Sequence, residues 1–309
     1  MAAEEKGSLV GYLEDWARQI SSSTVLSCGD EEEKAVDIYS YPSTISTAVP
    51  SSDMPFMKQI SSSSMATTCR SMLSMSHVER WAEPDETLII FDWDDTLCPT
   101  SDMKETDEGH GGFERAELET HQAAVVCLLQ AAAEIGKVRI VTMADITWIR
   151  MCIAELMPGL KNILDELQIP IVEARAARTP RLTREANADA REPSHFYKTK
   201  AMQKVVSDFY GAKTPCQRSW KNILSIGDSE AERLALQDVV FRHAQRDRFG
   251  RWKECRCKTL SLMQRPKIAE LTQELQAVAR LLPTLVHHDG DLDVNMDMND
   301  VASCLHTEN

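Results

Sequence analysis

Residues 88–97 read LIIFDWDDTL, an apolar run that ends in three aspartates. Consecutive apolar residues followed by turn-forming residues are typical of a strand buried on both faces of a parallel sheet. Asp92 and Asp94 are two residues apart, so a continuing strand would place their side chains on the same side. Carboxylates this close repel each other unless a cation or a shared proton relieves them. The run therefore predicts a catalytic strand end, with Mg²⁺ as its simplest partner.

A structural interpretation of the same run stays open on these residues alone. Asp95 and Thr96 suit a turn or a helix N-cap, where side-chain oxygens accept hydrogen bonds from backbone N–H groups. Polar residues at the ends of other predicted strands favour the catalytic interpretation.

Two further apolar runs end in polar side chains. Residues 137–144 carry Thr142, a candidate hydrogen-bond donor to phosphate oxygens. Residues 221–228 end in Asp228, a candidate metal ligand, and Glu232 follows one helical turn later. In open parallel sheets, ligands bind outside the carboxyl ends of the strands, so we expect these groups to meet at one edge.

The segment between these two runs supplies two candidate cations for phosphate, Lys198 and Lys200. They open an amphipathic stretch that continues through Tyr210. Residues two positions apart lie on nearly opposite sides of a helix, so both cannot face the same cleft. We expect Lys198 to face the cleft and Lys200 to suit the outer face.

In these four motifs the chain resembles the haloacid dehalogenase-like (HAD) superfamily, in its phosphatase branch. The resemblance covers about residues 85–285, and it extends to a subset of such proteins from protists with little or no cap. The motifs that carry it are Asp92-Trp93-Asp94-Asp95-Thr96, Thr142, Lys198 or Lys200, and Gly227-Asp228 with Glu232.

The resemblance implies a three-layer α/β/α Rossmann-like sandwich with a mainly parallel sheet and a small or absent cap. It also implies that Asp92 forms an aspartyl-phosphate and that Asp94 acts as general acid and then general base. Mg²⁺ would be the cofactor, held by Asp92, by the main-chain carbonyl of Asp94 and by Asp228. The implied roles are catalytic for Asp92, Asp94, Thr142 and Lys198, substrate-binding for Thr96, Thr142, Lys198 and Lys200, and metal-binding for Asp92, Asp94, Asp228 and Glu232.

The two ends of the chain differ in composition from its middle. We expect a short N-terminal helix in residues 1–20, a Ser-rich flexible arm over 21–80, the catalytic domain over 85–285 and an acidic tail over 286–309. Alternating acids in that tail faintly resemble a calcium loop but lack the closing Glu, so a disordered or edge-strand tail is the favoured interpretation.

Periodicity predicts the elements around the motifs. The helices are expected over 114–135, 146–157, 160–167, 231–243 and 266–282, and further strands over 169–173 and 258–263. Residues 104–112 are expected to form an acidic loop. An arginine-rich loop, 175–194, is expected to be the one extra covering of the site.

Charge and composition restrict the partners. The formal net charge of −14 disfavours nonspecific binding to nucleic acid or to an anionic membrane. No run of about 18 apolar residues is present, and nine cysteines without a Cys-x-x-Cys pair favour reduced thiols. We therefore expect a cytoplasmic protein, with the nucleus as the alternative.

Three functions fit these residues. The first is a Mg²⁺-dependent phosphomonoesterase with a phosphorylated substrate, a phosphoprotein among the candidates because the site is expected to be open. The second is a catalytically weak HAD-like scaffold that binds partners. The third is a phosphotransferase that passes the phosphoryl group to an acceptor other than water. The acids at the strand ends favour an enzyme, because a scaffold has no need for such a costly cluster.

Overall fold

The structure, a computed structural model, describes residues 80–108, 112–176, 179–188, 192–211, 220–243 and 253–301. All of these belong to one compact unit. The expected N-terminal helix and the Ser-rich arm up to residue 79 lie outside the described residues, as do residues 302–309 of the acidic tail.

Six strands form a single sheet in which every neighbouring pair is parallel. The strand order is β3-β2-β1-β4-β5-β6. The expected α/β fold with a mainly parallel sheet is therefore confirmed. The strands are β1 (Thr87–Phe91), β2 (Lys137–Thr142), β3 (Ile171–Glu173), β4 (Asn222–Gly227), β5 (Arg256–Ser261) and β6 (Leu292–Asn295).

Helices connect successive strands, as parallel pairing requires. They are α1 (Thr100–Glu108), α2 (Arg115–Ile135), α3 (Ile146–Glu155), α4 (Leu160–Glu166), α5 (Pro180–Ala188), α6 (Pro193–Gly211), α7 (Glu230–Phe241) and α8 (Ile268–His287). Helix α2 packs on α8, and α6 packs on α7. No helix of the described ranges combines the length and the apolar character that a membrane crossing needs.

Three expectations about the helices were wrong. Helix α1 occupies most of the segment expected to be an acidic loop, and α5 lies inside the expected arginine-rich loop. Helix α8 continues past Pro283, in its last turn but one, to His287. A proline removes one backbone N–H donor, and the contacts of a long buried helix face can offset that loss near an end.

The core explains why the two central strands are apolar. Every residue of β1 and of β4 is buried. Leu88 and Ile90 share one buried cluster with Met202 and Val206 of α6 and Leu236 of α7. Because strand side chains alternate, Ile89 and Phe91 point to the opposite face of the sheet. Both faces of β1 are therefore covered.

The strand order creates a crevice between β1 and β4. The chain proceeds from β1 outward through β2 to β3, and then returns to place β4 on the other side of β1. The connections on the two sides of this point run in opposite directions, which opens a crevice at the carboxyl ends of the strands.

Part of the acidic tail joins the sheet. Strand β6 pairs with β5 in parallel, with Lys258 opposite Leu292 and Ser261 opposite Asn295. The edge-strand interpretation of this segment therefore holds for residues 292–295. Asp293 is held there by Arg233 of α7, with Nη2 of the arginine 2.6 Å from Oδ2.

Candidate active site at the ends of the central strands

The backbone register brings three predicted site residues to one edge. Phe91, the last residue of β1, lies opposite Ile140 of β2 and Ile226 of β4. Asp92 follows Phe91 directly, and Thr142 and Asp228 each lie two positions beyond those partners. The backbone N–H of Asp92 still donates to the carbonyl of Ile226, at 3.0 Å, so Asp92 is fixed to the neighbouring strand.

A cluster of three carboxylates occupies this edge. Asp92, Asp228 and Glu232 each place one oxygen within 4.8 Å of the others. Asp92 and Glu232 are buried, whereas Asp228 is half-buried. Carboxylate oxygens are the ligands that Mg²⁺ prefers in proteins, so these side chains fit a divalent cation.

Lys198 lies inside this cluster. Its Nζ atom lies 2.9 Å from Asp92 Oδ1 and also forms an ion pair with Glu232. Only 2% of Lys198 is exposed. The sequence suggested that Lys198 lies at the start of a helix. Helix α6 instead begins at Pro193, so Lys198 lies in its second turn.

Glu232 has a second set of contacts, with the N-terminus of its own helix. Its Oε2 atom accepts hydrogen bonds from the backbone N–H of Ser229, at 3.0 Å, and from the Ser229 hydroxyl, at 2.5 Å. This reciprocal capping arrangement fixes the Glu232 side chain. Both of its oxygens are therefore engaged, one by Lys198 and the other by Ser229.

The acids of the crevice carry more negative charge than Lys198 can offset. Burial, and then the charges of Asp92 and Asp95, raise the pKa of Asp228 to about 7. Burial and Asp92 likewise raise the pKa of Asp94 to about 6, against opposing effects of Thr100 and Lys198. Such clustering favours binding of a cation, because a cation relieves the repulsion among the carboxylates.

The side chain of Asp94 is oriented by the helix that follows the loop. Thr100 Oγ1 donates to Asp94 Oδ1 at 2.8 Å. Asp95 takes a left-handed backbone conformation, with φ of 51°, which is uncommon for a residue with a side chain. Its carboxylate accepts hydrogen bonds from the backbone N–H and the hydroxyl of Ser101. Helix α1 thus fixes the whole turn after β1.

The loop is also fastened to the helices behind it. The imidazole of His121, on α2, contacts the carbonyl of Leu97 through Nε2 at 3.1 Å and Thr272 Oγ1 of α8 through Nδ1 at 3.0 Å. Burial lowers the pKa of His121 to about 4. The carbonyl of Leu97 accepts, so the neutral ring carries its proton on Nε2.

The two predicted threonines are buried at the same edge. Thr142 Oγ1 accepts a hydrogen bond from the backbone N–H of Ala144 at 2.9 Å, which leaves the hydroxyl proton available to a ligand. Thr96 Oγ1 is buried and has no hydrogen-bond partner among the residues that the structure describes. A bound oxyanion would satisfy such a group.

Lys200 lies away from the cluster. Lys200 is exposed, and its Nζ atom lies 5.4 Å from the centre of the Phe196 ring, so the structure does not bring this predicted phosphate ligand to the site. Trp93, between the two aspartates in the sequence, is fully buried.

Sequence reasoning missed Thr100, Ser101 and His121. The available signals were the position of Thr100 six residues after Asp94, the position of Ser101 six residues after Asp95, and the acidic segment that follows them. His121 gave none, because a lone histidine on a helix is most often a packing residue.

A cleft of about 560 Å³ opens beside Asp228. Its walls are the segments after β4 and β5 together with the end of β6, and they include Glu230, Arg233, Gln264 and Asn295. Arg181, one of the arginines expected to cover the site, is exposed and pairs with Glu185 in its own helix.

No protein-family model, no curated protein and no solved structure matches the chain. The candidate site is therefore defined by the geometry of Asp92, Lys198, Asp228 and Glu232.

Proposed function

We propose that this protein is a Mg²⁺-dependent phosphomonoesterase with a HAD-like Rossmann fold that works through an aspartyl-phosphate on Asp92. The observation that carries the proposal is the meeting of Asp92, Asp228 and Lys198 in the crevice between β1 and β4. A nucleophile, a cation site and a fixed positive charge together are what phosphoryl transfer needs.

The Asp92 side chain, the Asp94 carbonyl and the Asp228 side chain would hold the metal. A bound Mg²⁺ neutralises charge on the phosphoryl oxygens and orients them. Lys198 adds a second positive charge beside Asp92, and the hydroxyls of Thr142 and Thr96 donate to the remaining oxygens. Glu232 was expected to bind the metal as well, but its contacts with Lys198 and Ser229 favour a role in holding the lysine.

The chemical steps follow from the positions of the two aspartates. One oxygen of Asp92 attacks phosphorus, the bond from phosphorus to the ester oxygen breaks, and Asp94 gives that oxygen its proton. Asp94 then removes a proton from water, which attacks the aspartyl-phosphate and releases inorganic phosphate. The raised pKa of Asp94, about 6, suits a group that must both give and take a proton near neutral pH.

The substrate is a phosphate monoester. The described part of the interval between β3 and α6 holds one short helix, α5, so a bulky ester can approach, and a phosphoprotein stays among the candidates. Transfer to an acceptor other than water would use the same first step.

The test is hydrolysis of p-nitrophenyl phosphate by the wild-type protein with Mg²⁺, by the wild-type protein with EDTA, and by the Asp92→Asn variant. We expect turnover that requires the metal and is lost in Asp92→Asn, which keeps the shape of the side chain but removes the nucleophile. Turnover that survives in Asp92→Asn would refute the role of Asp92. An inactive wild-type protein with Mg²⁺, Mn²⁺ and Co²⁺ would favour the scaffold interpretation.

A further inference from the structure

The cleft of about 560 Å³ beside Asp228 is built on the ends of three strands. The backbone N–H of Leu262 donates to the carbonyl of Gly227 at 2.8 Å, and that of Met296 donates to the carbonyl of Ser261 at 2.9 Å. These bonds continue the pairing of β4 with β5 and of β5 with β6, so the sheet itself holds the walls in place. The cleft is therefore formed before a ligand binds, as sites for small molecules usually are.

The cleft is joined to the proposed phosphate site through one residue. Asp228 lines the cleft and also belongs to the carboxylate cluster with Asp92 and Glu232. A phosphoryl group bound through a metal at Asp228 would therefore have the cleft at its side. The volume of the cleft lies within the usual range for sites that bind small molecules.

The lining of the cleft combines apolar side chains with two amides. The apolar side chains belong to Leu262, Met263, Val294 and Met296. Gln264 and Asn295 are exposed, and neither forms a side-chain hydrogen bond with another residue that the structure describes. An amide both donates and accepts hydrogen bonds, as a hydroxyl group does. The lining therefore suits a ligand that carries hydroxyl groups on an aliphatic skeleton.

The charges of the cleft disfavour an anionic ligand. Arg233, the one basic residue among the described residues of the lining, contacts both oxygens of Asp293, through Nε at 2.7 Å and through Nη2 at 2.6 Å. The pKa of Asp293 falls to about 2, mainly because of Arg233, so this carboxylate stays ionised and offsets the charge of the arginine. Glu230 is exposed and adds a further negative charge. A carboxylate or a second phosphate would therefore meet a negative lining.

We propose that this cleft binds the leaving group of the substrate, and that the substrate class is phosphate monoesters of polyhydroxylated alcohols without a second negative charge. Gln264 and Asn295 determine this specificity through hydrogen bonds to the hydroxyl groups, and Glu230 contributes by repelling anions. This inference rests on the proposed phosphatase function, because the cleft receives a leaving group only if a phosphoryl group is bound between Asp92 and Asp228.

Three esters with carbon chains of the same length test this proposal. Sorbitol 6-phosphate carries a hydroxyl group on each carbon that is not phosphorylated, and hexyl phosphate carries none. In 6-phosphogluconate, a carboxylate replaces the terminal hydroxymethyl group of sorbitol 6-phosphate. The readout is kcat/KM for each ester, from release of inorganic phosphate with Mg²⁺.

Two ratios of kcat/KM are expected to favour sorbitol 6-phosphate. Its ratio to hexyl phosphate should be at least about tenfold, because an ester without hydroxyl groups leaves the polar groups of the site unpaired. Its ratio to 6-phosphogluconate should be at least about threefold, and should fall as salt is added because salt screens exposed charges.

The amides are tested by Gln264→Leu and Asn295→Leu. Their controls are Gln276→Leu and Asn162→Leu, at exposed positions of α8 and α4 outside the cleft. Each of the first two variants should lower the ratio of sorbitol 6-phosphate to hexyl phosphate by at least about threefold, as loss of a neutral hydrogen bond would. The controls should leave that ratio unchanged. Thermal unfolding of each variant separates misfolding from loss of recognition.

The charge is tested by Glu230→Gln, with Glu166→Gln at an exposed position of α4 as its control. Glu230→Gln should lower the ratio of sorbitol 6-phosphate to 6-phosphogluconate by at least about twofold, because one source of repulsion is removed. Glu166→Gln should not change it.

The outcomes separate this inference from the function on which it rests. If p-nitrophenyl phosphate is hydrolysed but either wild-type ratio is near or below one, the proposed substrate class is refuted and the phosphatase stands. If both ratios are as expected but Gln264→Leu and Asn295→Leu do not change the first, the specificity arises outside the cleft and the inference fails. If the folded wild-type protein hydrolyses neither the three esters nor p-nitrophenyl phosphate, the function and the inference fail together.

Discussion

Lys198 Nζ lies 2.9 Å from Asp92 Oδ1, and the same nitrogen forms an ion pair with Glu232. One lysine of α6 therefore joins the end of β1 to the first turn of α7. The ion pairs are buried, where charge interactions are stronger than at the surface. This contact fixes both the proposed nucleophile and the proposed phosphate-binding charge.

Replacing Lys198 by methionine should lower kcat/KM for p-nitrophenyl phosphate by at least about 100-fold, because the phosphoryl oxygens lose a fixed positive charge. It should also destabilise the protein by about 3–5 kcal/mol, since two buried carboxylates lose their partner. The matched control is Lys200→Met, on the outer face of α6. Comparable losses in both variants would contradict the assignment of the phosphate-binding lysine.

Asp228 and Glu232 should respond differently to Mg²⁺. Asp228→Asn should raise the half-saturating Mg²⁺ concentration by at least about tenfold, as loss of a metal ligand would. Glu232→Gln should mainly lower kcat, by about tenfold, because Lys198 loses its anchor while the metal keeps its ligands.

The measurement is activity as a function of Mg²⁺ concentration for the three proteins. A large shift in the half-saturating concentration for Glu232→Gln would instead assign Glu232 as a metal ligand.

A substitution at Gly227 can displace Glu232, which anchors Lys198, without removing a charge. A Cβ atom at this position would lie 2.6 Å from Glu232 Cγ, so Gly227→Ala must displace the Glu232 side chain. We expect a loss of about 1–3 kcal/mol of stability, typical of overpacking, with a fall in activity of at least about tenfold. Gly211→Ala is the control, since its Cβ would meet nothing within 4 Å. Full activity of a folded Gly227→Ala variant would contradict the role of Glu232 in holding Lys198.

His121 should make the protein less stable in acid. The folded pKa is about 4, whereas the unfolded value is 6.5, so the unfolded chain binds more protons between these values. The contribution is fully present above pH 6.5 and is lost as the pH falls towards 4. The shift corresponds to about 3 kcal/mol.

The check is urea unfolding of the wild type and of His121→Asn from pH 7 to pH 4.5. The stability advantage of the wild type should shrink as the pH falls, and other titrating groups cancel in this difference. A difference that does not change with pH would mean that His121 is not held neutral.

The sequence predicted the strand ends well because that information is local. A run such as residues 88–91, bounded by turn-forming residues, predicts a buried strand and also marks where that strand ends. Thr142 and Asp228 follow from the same rule, since parallel strands deliver their carboxyl ends to one edge. Helical periodicity showed that Lys198 and Lys200 could not both face the cleft, whereas the choice of Lys198 relied on an expected place at the start of the helix.

Helix α1 shows where the sequence was not enough. Its residues, TSDMKETDE, are mostly polar and gave no apolar period, so a loop was expected. The helix is held by partners far along the chain: Asp102 contacts Lys267 and Ile268, and Met103 is buried. Such contacts can override weak local propensity.

The sequence by itself determined a parallel α/β sheet with acids at the ends of its central strands. Apolar runs and the polar residues that follow them can be recognised within short segments of sequence. Only the tertiary structure decided which charges meet, and it brings Lys198 together with Asp92 and Glu232. These groups are separated by tens to more than a hundred residues. Their distances depend on how helices pack on the sheet, and no local pattern encodes that packing.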